Sequence, residues 1–366
     1  MKRAMLKILT HTRMIIGDFH MTEKTNKNKH MKNKFYLSTL VFLFLGVHSC
    51  YNNPLDIDVS AVELNLEVKS FEKDLFLKAG NLSNDEIEKL AINYQPFFDD
   101  FTNEIINIGD TRRGGFNFLI NAFRTDPEIR DVYADVQKQF SDFSPYQKEL
   151  TDAFKHYKHY FPKEEMPTII TYISGFNYAI ATGKNYLGIG LDMFLGKDYK
   201  PYIQLQLPEY KREIMTKDYL VSSVLLGWIS TEYEMQETQP NLLSEMIHQG
   251  KIIYLLDALI PKEKASKKVS YTEEQYNWCK QNTKQIWFYL MDNKLLFTKE
   301  TSQIIKFMGE APFTQGFPEG SPGRIGHWMG WEIVKAYMET NPEVSLTQLM
   351  QETDAQLILN KSNYKP

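Results

Sequence analysis

A largely apolar run, Phe35 to Val47, stops three residues before Cys50, one of only two cysteines in the 366-residue chain. Its length decides what the rest can be. Thirteen residues wound as a helix reach about 20 Å, whereas a hydrocarbon core of about 30 Å takes roughly 20 residues to cross. No later segment approaches that length, so the body after Cys50 has to fold against water. In front of the run stand Lys29, His30, Lys32 and Lys34, and behind it stands the small Ser49. A positive flank, a short apolar core and a small residue before the break read as a secretory signal peptide. Met31, followed by Lys-Asn-Lys, reads as a better translation start than Met1, which makes residues 1–30 a leader.

The cysteine extends that reading. Val47-His48-Ser49-Cys50 resembles the bacterial lipoprotein box, in which the cysteine becomes the first mature residue and carries acyl chains. His48 departs from the small or aliphatic residue usual at its place, and a plain secretory signal beside an incidental cysteine is the alternative. One acyl chain holds a protein on a membrane only marginally, at about 0.8 kcal/mol per buried CH₂; several on one cysteine hold it durably. The division expected is a leader and signal peptide over 1–49, a lipidated tether over 50–60, and a single domain over 61–366. Residues 1–49 carry nine Lys/Arg and two Asp/Glu, so the mature chain has 33 and 44, a net charge of −11. That balance repels phosphate backbones and argues against nucleic-acid binding. Cys279 is the only thiol after Cys50, which excludes an internal disulfide and a cysteine metal site in the mature chain. Its place is expected in the core.

Texture along the domain changes twice. VELNLEVKSF, from Val62, alternates with period two and reads as a strand. Residues 83–161 turn helical, with Ser83 and Glu86 forming a capping box and further helices predicted over 115–124, 127–140 and 144–160. TIITYIS (168–174), NYAIAT (177–182) and NYLGIGLDMFL (185–195) are β-branched, aromatic and glycine-punctuated, and predict a small antiparallel sheet. Helices follow over 217–232, 240–259, 272–291, 323–339, 345–351 and 353–360. The class expected is α+β, with an N-terminal helical part (83–161) and a C-terminal sheet-plus-helices part (168–366).

Chemistry-bearing residues are sparse. The mature chain holds four histidines, none in an HExxH pair. His156 and His159, set among Lys and Tyr, are expected on a wet face. Glu245 and His248 form a Glu-x-x-His turn, half of what a di-iron bundle site requires. Their helix is apolar on nearly every side, so burial is expected, with the pair satisfying each other or Arg324. Ser223 and Gly227 form a close-packing notch. In GSPGRIGHWMGWEIVKAYM (320–338), Ser321 is the expected N-cap with Pro322 at N1. Gly326 and Gly330 open a flat face, and Arg324, at the positive end of the helix dipole, calls for an acidic partner. His327 and Trp331 read either as tight helix packing or as one wall of a pocket.

GIGLDMFLGKDY (188–199), EMIHQGKIIYLLDALIP (245–261), YTEEQYNWCKQN (271–282) and APFTQGFPEGSPGRIGHWMGWEIVKAYM (311–338), in this order after the lipoprotein box, resemble the gliding motility lipoprotein GldB family of Bacteroidota. The resemblance spans essentially the whole mature chain. It implies a lipid-anchored envelope component needed for gliding, linked to the associated protein-export machinery, and expected at the outer membrane facing the periplasm. Chains of that type are distantly similar to predicted zinc peptidases, which implies a zincin-like architecture. On that pattern Glu245 matches a glutamate ligand, and His327 and Trp331 match a later pocket helix. The HExxH helix would fall within 217–232, where no histidine stands. The resemblance therefore implies a vestigial pocket of Glu245, His248, Arg324, His327 and Trp331, with no catalytic residue, metal or cofactor, that binds a protein or peptide partner. An envelope zinc metallopeptidase with an atypical site, and a cell-wall glycan binder using the abundant Tyr and Trp, stand as alternatives.

Overall fold

A computed structural model describes residues 53–366; the leader, signal peptide and Cys50 lie outside the described residues. The architecture is α+β. Its sheet has four strands, β1 (Val68–Ser70), β2 (Thr168–Tyr172), β3 (Ile180–Gly183) and β4 (Tyr186–Gly190), in the order β1-β2-β4-β3. The sheet is mixed, which corrects the antiparallel expectation. β2 runs parallel to β1 (Val68↔Ile169) and to β4 (Thr168↔Tyr186), and only the β3–β4 hairpin is antiparallel. The two-residue turn at Lys184-Asn185, with Asn185 at φ 65°, produces that hairpin. The parallel pairings come from longer connections, above all the helical crossover of about 100 residues between β1 and β2. Of VELNLEVKSF only Val68–Ser70 is strand.

That crossover contains α1 (Phe71–Phe76), α2 (Asn84–Tyr94), α3 (Phe116–Thr125), α4 (Pro127–Gln139) and α5 (Ser144–Tyr160). Ser83 and Glu86 make the reciprocal capping box at the start of α2. Phe71 sits edge-on to Tyr94, Phe97, Phe98 and Phe101. Arg124 is wholly buried, yet among the described residues it has no acidic partner. Its guanidinium donates to the carbonyls of Leu75 (2.9 Å), Lys78 and Gly80, closing off the end of α1.

The second half contains α6 (Leu220–Glu232), α7 (Leu242–Leu259), α8 (Glu273–Asp292), α9 (Thr301–Met308), α10 (Ile325–Thr340), α11 (Leu346–Gln351) and α12 (Ala355–Ser362). α7 is apolar on nearly all sides because it is enclosed, with 13 of its 18 residues buried. The flat face of Gly326 and Gly330 is present. A Cβ on Gly330 would overlap the Met246 carbonyl, and one on Gly250 would overlap Gly330, so the α7 and α10 backbones touch. Lys251, mid-helix and 7 % exposed, turns to the C-terminal end of α11 and donates to the carbonyls of Glu352 (2.7 Å) and Met350 (3.4 Å).

Three local expectations are corrected. His156 is 3 % exposed, not wet; residues Asp56–Ser60 share a shallow cavity with it and cover that face of α5, while His159 is exposed. The segment that covers it is attached to the body: Asn53 Nδ2 donates to the Pro261 carbonyl (3.3 Å) and Asp56 pairs with Lys262 (3.3 Å). Ser321 does not cap α10. Its hydroxyl accepts from the Thr314 amide (3.3 Å), and the helix starts a turn later, with Arg324 at the N-cap position at φ 57° and no side-chain cap there. Nor does Arg324 take an acidic partner among the described residues: it donates one N–H to the Ser270 carbonyl (2.9 Å) and lies over the Tyr271 ring.

Candidate functional site

α6 sends its apolar residues Val221, Val224, Leu225 and Trp228 inward. The remaining face, Ser223, Leu226, Gly227 and Ser230, recurs at i, i+3/i+4 and i+7 and is therefore one stripe. That stripe floors a groove of about 360 Å³. Ala179 and Ile180, at the start of β3, bound one side. Gln249 of α7 and Arg324 and His327 of α10 line it as well. Gly227 admits Ile180, whose Cδ1 would lie 2.7 Å from a Cβ there, so the notch at Ser223 and Gly227 receives a strand residue.

The five sequence-predicted pocket residues do not converge. Arg324 and His327 share the groove. His248 faces a separate cavity of about 340 Å³ with Glu232, Glu237, Lys251 and Glu352. Trp331, 3 % exposed, is held in the core: its indole N–H donates to Asp257 (2.6 Å), which pairs with Lys268 (3.1 Å). Lys335 covers its ring at 3.7 Å. Among the described residues no hydrogen bond joins Glu245 to His248, so they do not satisfy each other as expected. Gln249 replaces both at the groove, one helical position beyond His248.

Electrostatics keep the imidazoles neutral. Desolvation, then the nearby Arg324 charge, pushes His327 down to about 3 against the opposing pull of the Met308 carbonyl. Desolvation and Lys251 push His248 down to about 4. Glu245 moves up, from desolvation and from repulsion by Glu237. Among the described residues no group of three His, Cys, Asp or Glu side chains is placed to hold a metal. Beside apolar side chains such as Met193, Phe194 and Ile214, the groove offers hydroxyls, an amide, a carboxylate, a neutral imidazole and one guanidinium, a set suited to hydrogen bonding.

Sequence reasoning missed Gln249, Ser230 and the β3 border. The small-residue stripe on an otherwise apolar α6 was the available signal for the floor. Gln249 carries no signal beside the more conspicuous Glu245 and His248.

No helix among the described residues is long and apolar enough to cross a membrane. No curated protein and no solved structure matches the chain. The family described as gliding motility protein GldB matches residues 52–366, from the first residues after Cys50 to the C-terminus, and the chain belongs to that family.

Proposed function

We propose that the chain is a lipid-anchored, non-catalytic component of the gliding apparatus that binds a protein or peptide partner of the gliding and secretion machinery in the α6 groove. The family is one of gliding-motility lipoproteins, which associates it with the cell envelope. The single observation that carries the binding reading is the floor of the groove: α6 offers Ser223, Gly227 and Ser230, and among the described residues no hydrogen bond joins either serine to a histidine or a carboxylate. Burial and the Arg324 charge make His327, the imidazole lining the groove, a weak base, and among the described residues no carboxylate hydrogen-bonds to it. A peptidase-derived architecture whose catalytic helix has lost its ligands accounts for a groove of this form. Acyl chains on Cys50 anchor it, and the absence of acidic residues in Tyr51-Asn52-Asn53 supports a periplasm-facing outer-membrane position.

Two measurements test this. Cys50→Ser is expected to move the protein from the membrane to the soluble fraction; unchanged sedimentation refutes the anchor. Metal analysis of the purified chain is expected to find no stoichiometric zinc. One zinc per chain, with peptide cleavage abolished by Glu245→Gln, would replace this reading with the metallopeptidase.

A further inference from the structure

β3 is the outer strand of the sheet, and its hydrogen-bonding phase is fixed. The Gly190 amide donates to the Ala179 carbonyl at 2.8 Å, so residues 179 and 190 form a hydrogen-bonded pair. Alternation then makes Ile180↔Ile189 and Thr182↔Leu187 the non-bonded pairs of the antiparallel ladder. The N–H and C=O groups of Ile180 and Thr182 therefore point away from β4. Among the described residues these four groups have no partner. Such edges are ordinarily blunted by proline, by an inward charge or by a covering element. Ile180-Ala181-Thr182 contains no proline and no charge, and all three residues are half-exposed. Their side chains are anchored below: Ile180 fits against Gly227, and Thr182 Oγ1 lies 3.2 Å from Thr231 Oγ1. The strand thus runs along α6 beside the groove floor.

The charge of the groove is one-sided. Glu310, its only acidic lining residue, is paired with Lys211 at 3.0 Å. Arg324 donates one N–H to Ser270 and has no carboxylate partner among the described residues. His327 adds no charge. A guanidinium with unused donors recognises a carboxylate through charge-assisted bonds.

We infer that the groove takes an extended peptide segment of a partner protein, which adds to the free edge of β3 as a fifth strand and sets a carboxylate against Arg324. Main-chain bonds to Ile180 and Thr182 supply the pairing, and the carboxylate, either a free C-terminus or an Asp/Glu side chain, supplies selectivity. The inference rests on the groove being a partner site and specifies the partner's chemistry.

The test uses the full chain in detergent and a phage-displayed library of random decapeptides with free C-termini. Enriched peptides are expected to carry a carboxylate. Amidating the terminus or exchanging Asp/Glu for Asn/Gln then identifies its source through a loss of about tenfold or more in affinity. Thr182→Pro removes one outward N–H from an edge strand, a position that tolerates proline, and is expected to weaken binding about tenfold. Arg324→Asn removes the charge while keeping a residue that accepts positive φ, and is expected to abolish the preference for acids. Hydrogen exchange should slow at Ile180 and Thr182 when peptide binds. The inference is overturned if no peptide is enriched, or if enriched peptides bind both variants as they bind wild type. In cells, a photo-crosslinker at Ser230 that captures the same partner in wild type and Thr182→Pro would leave the partner site standing and remove strand addition.

Discussion

Glu72 is 1 % exposed in the first turn of α1, and its carboxylate accepts one hydrogen bond, 2.7 Å from the Thr171 hydroxyl on β2. Burial raises it from 4.5 to about 7, against the opposing pull of that hydroxyl. The folded value lies above the unfolded one, so the unfolded chain ionises first as pH rises. The stability associated with the neutral acid is complete below pH 4.5 and is lost as pH climbs through about 7. That separation corresponds to roughly 3 kcal/mol, most of which falls between pH 5 and 8. Glu72→Gln keeps an acceptor for Thr171 and cannot ionise. Relative to wild type it should therefore gain roughly 2–3 kcal/mol between pH 5 and pH 8. Urea unfolding of both proteins, followed by tryptophan fluorescence at pH 5.0, 6.5 and 8.0, measures this difference, and common titrations cancel from it. A difference constant to within about 0.5 kcal/mol, or one that favours wild type at pH 8, would refute the assignment of Glu72 as a buried acid ionising against the fold.

Other consequences concern the α7–α10 core and the groove. Gly330→Ala should cost about 3 kcal/mol or more, because the added Cβ overlaps the Met246 carbonyl and main chain yields less readily than a side chain; thermal unfolding would show it, and a drop of under about 2 °C would contradict the contact. Asp257→Ala strands the buried Lys268 ammonium and the Trp331 indole, at a cost of about 3–5 kcal/mol. Adding Lys268→Met should recover much of that loss, and a double mutant no better than the single would exclude the ion pair as its source. The His248 and His327 rings, lowered to about 4 and about 3, should show no titration between pH 5 and 8 in ¹H–¹⁵N spectra; a midpoint near 6.5 in either would place that ring in water.

Local physics accounts for what was legible in the chain alone. The helix starts at Ser83, Thr272 and Ser345 were written in capping chemistry that acts over three residues. The apolar circumference of α7 required burial wherever the helix went, and Gly326 and Gly330 required a close neighbour, whatever it was. The β3–β4 hairpin followed from its turn. Relations between residues far apart in the chain were settled by packing. Period-two alternation is the same in either strand direction, so nothing within VELNLEVKSF or TIITYIS specified a parallel pair across about 100 intervening residues. His156 looked wet because its neighbours along the chain are polar, and it is buried because residues 56–60 cross over it. Arg324 needed electron-rich contacts, and the fold supplied a carbonyl and an aromatic ring instead of an acid. The candidate groove belongs to this second class. Glu245, His248 and Gln249 are close neighbours along one helix, and the roll of α7 against α10, set by where glycine lets the backbones meet, decides which of them faces the floor of α6.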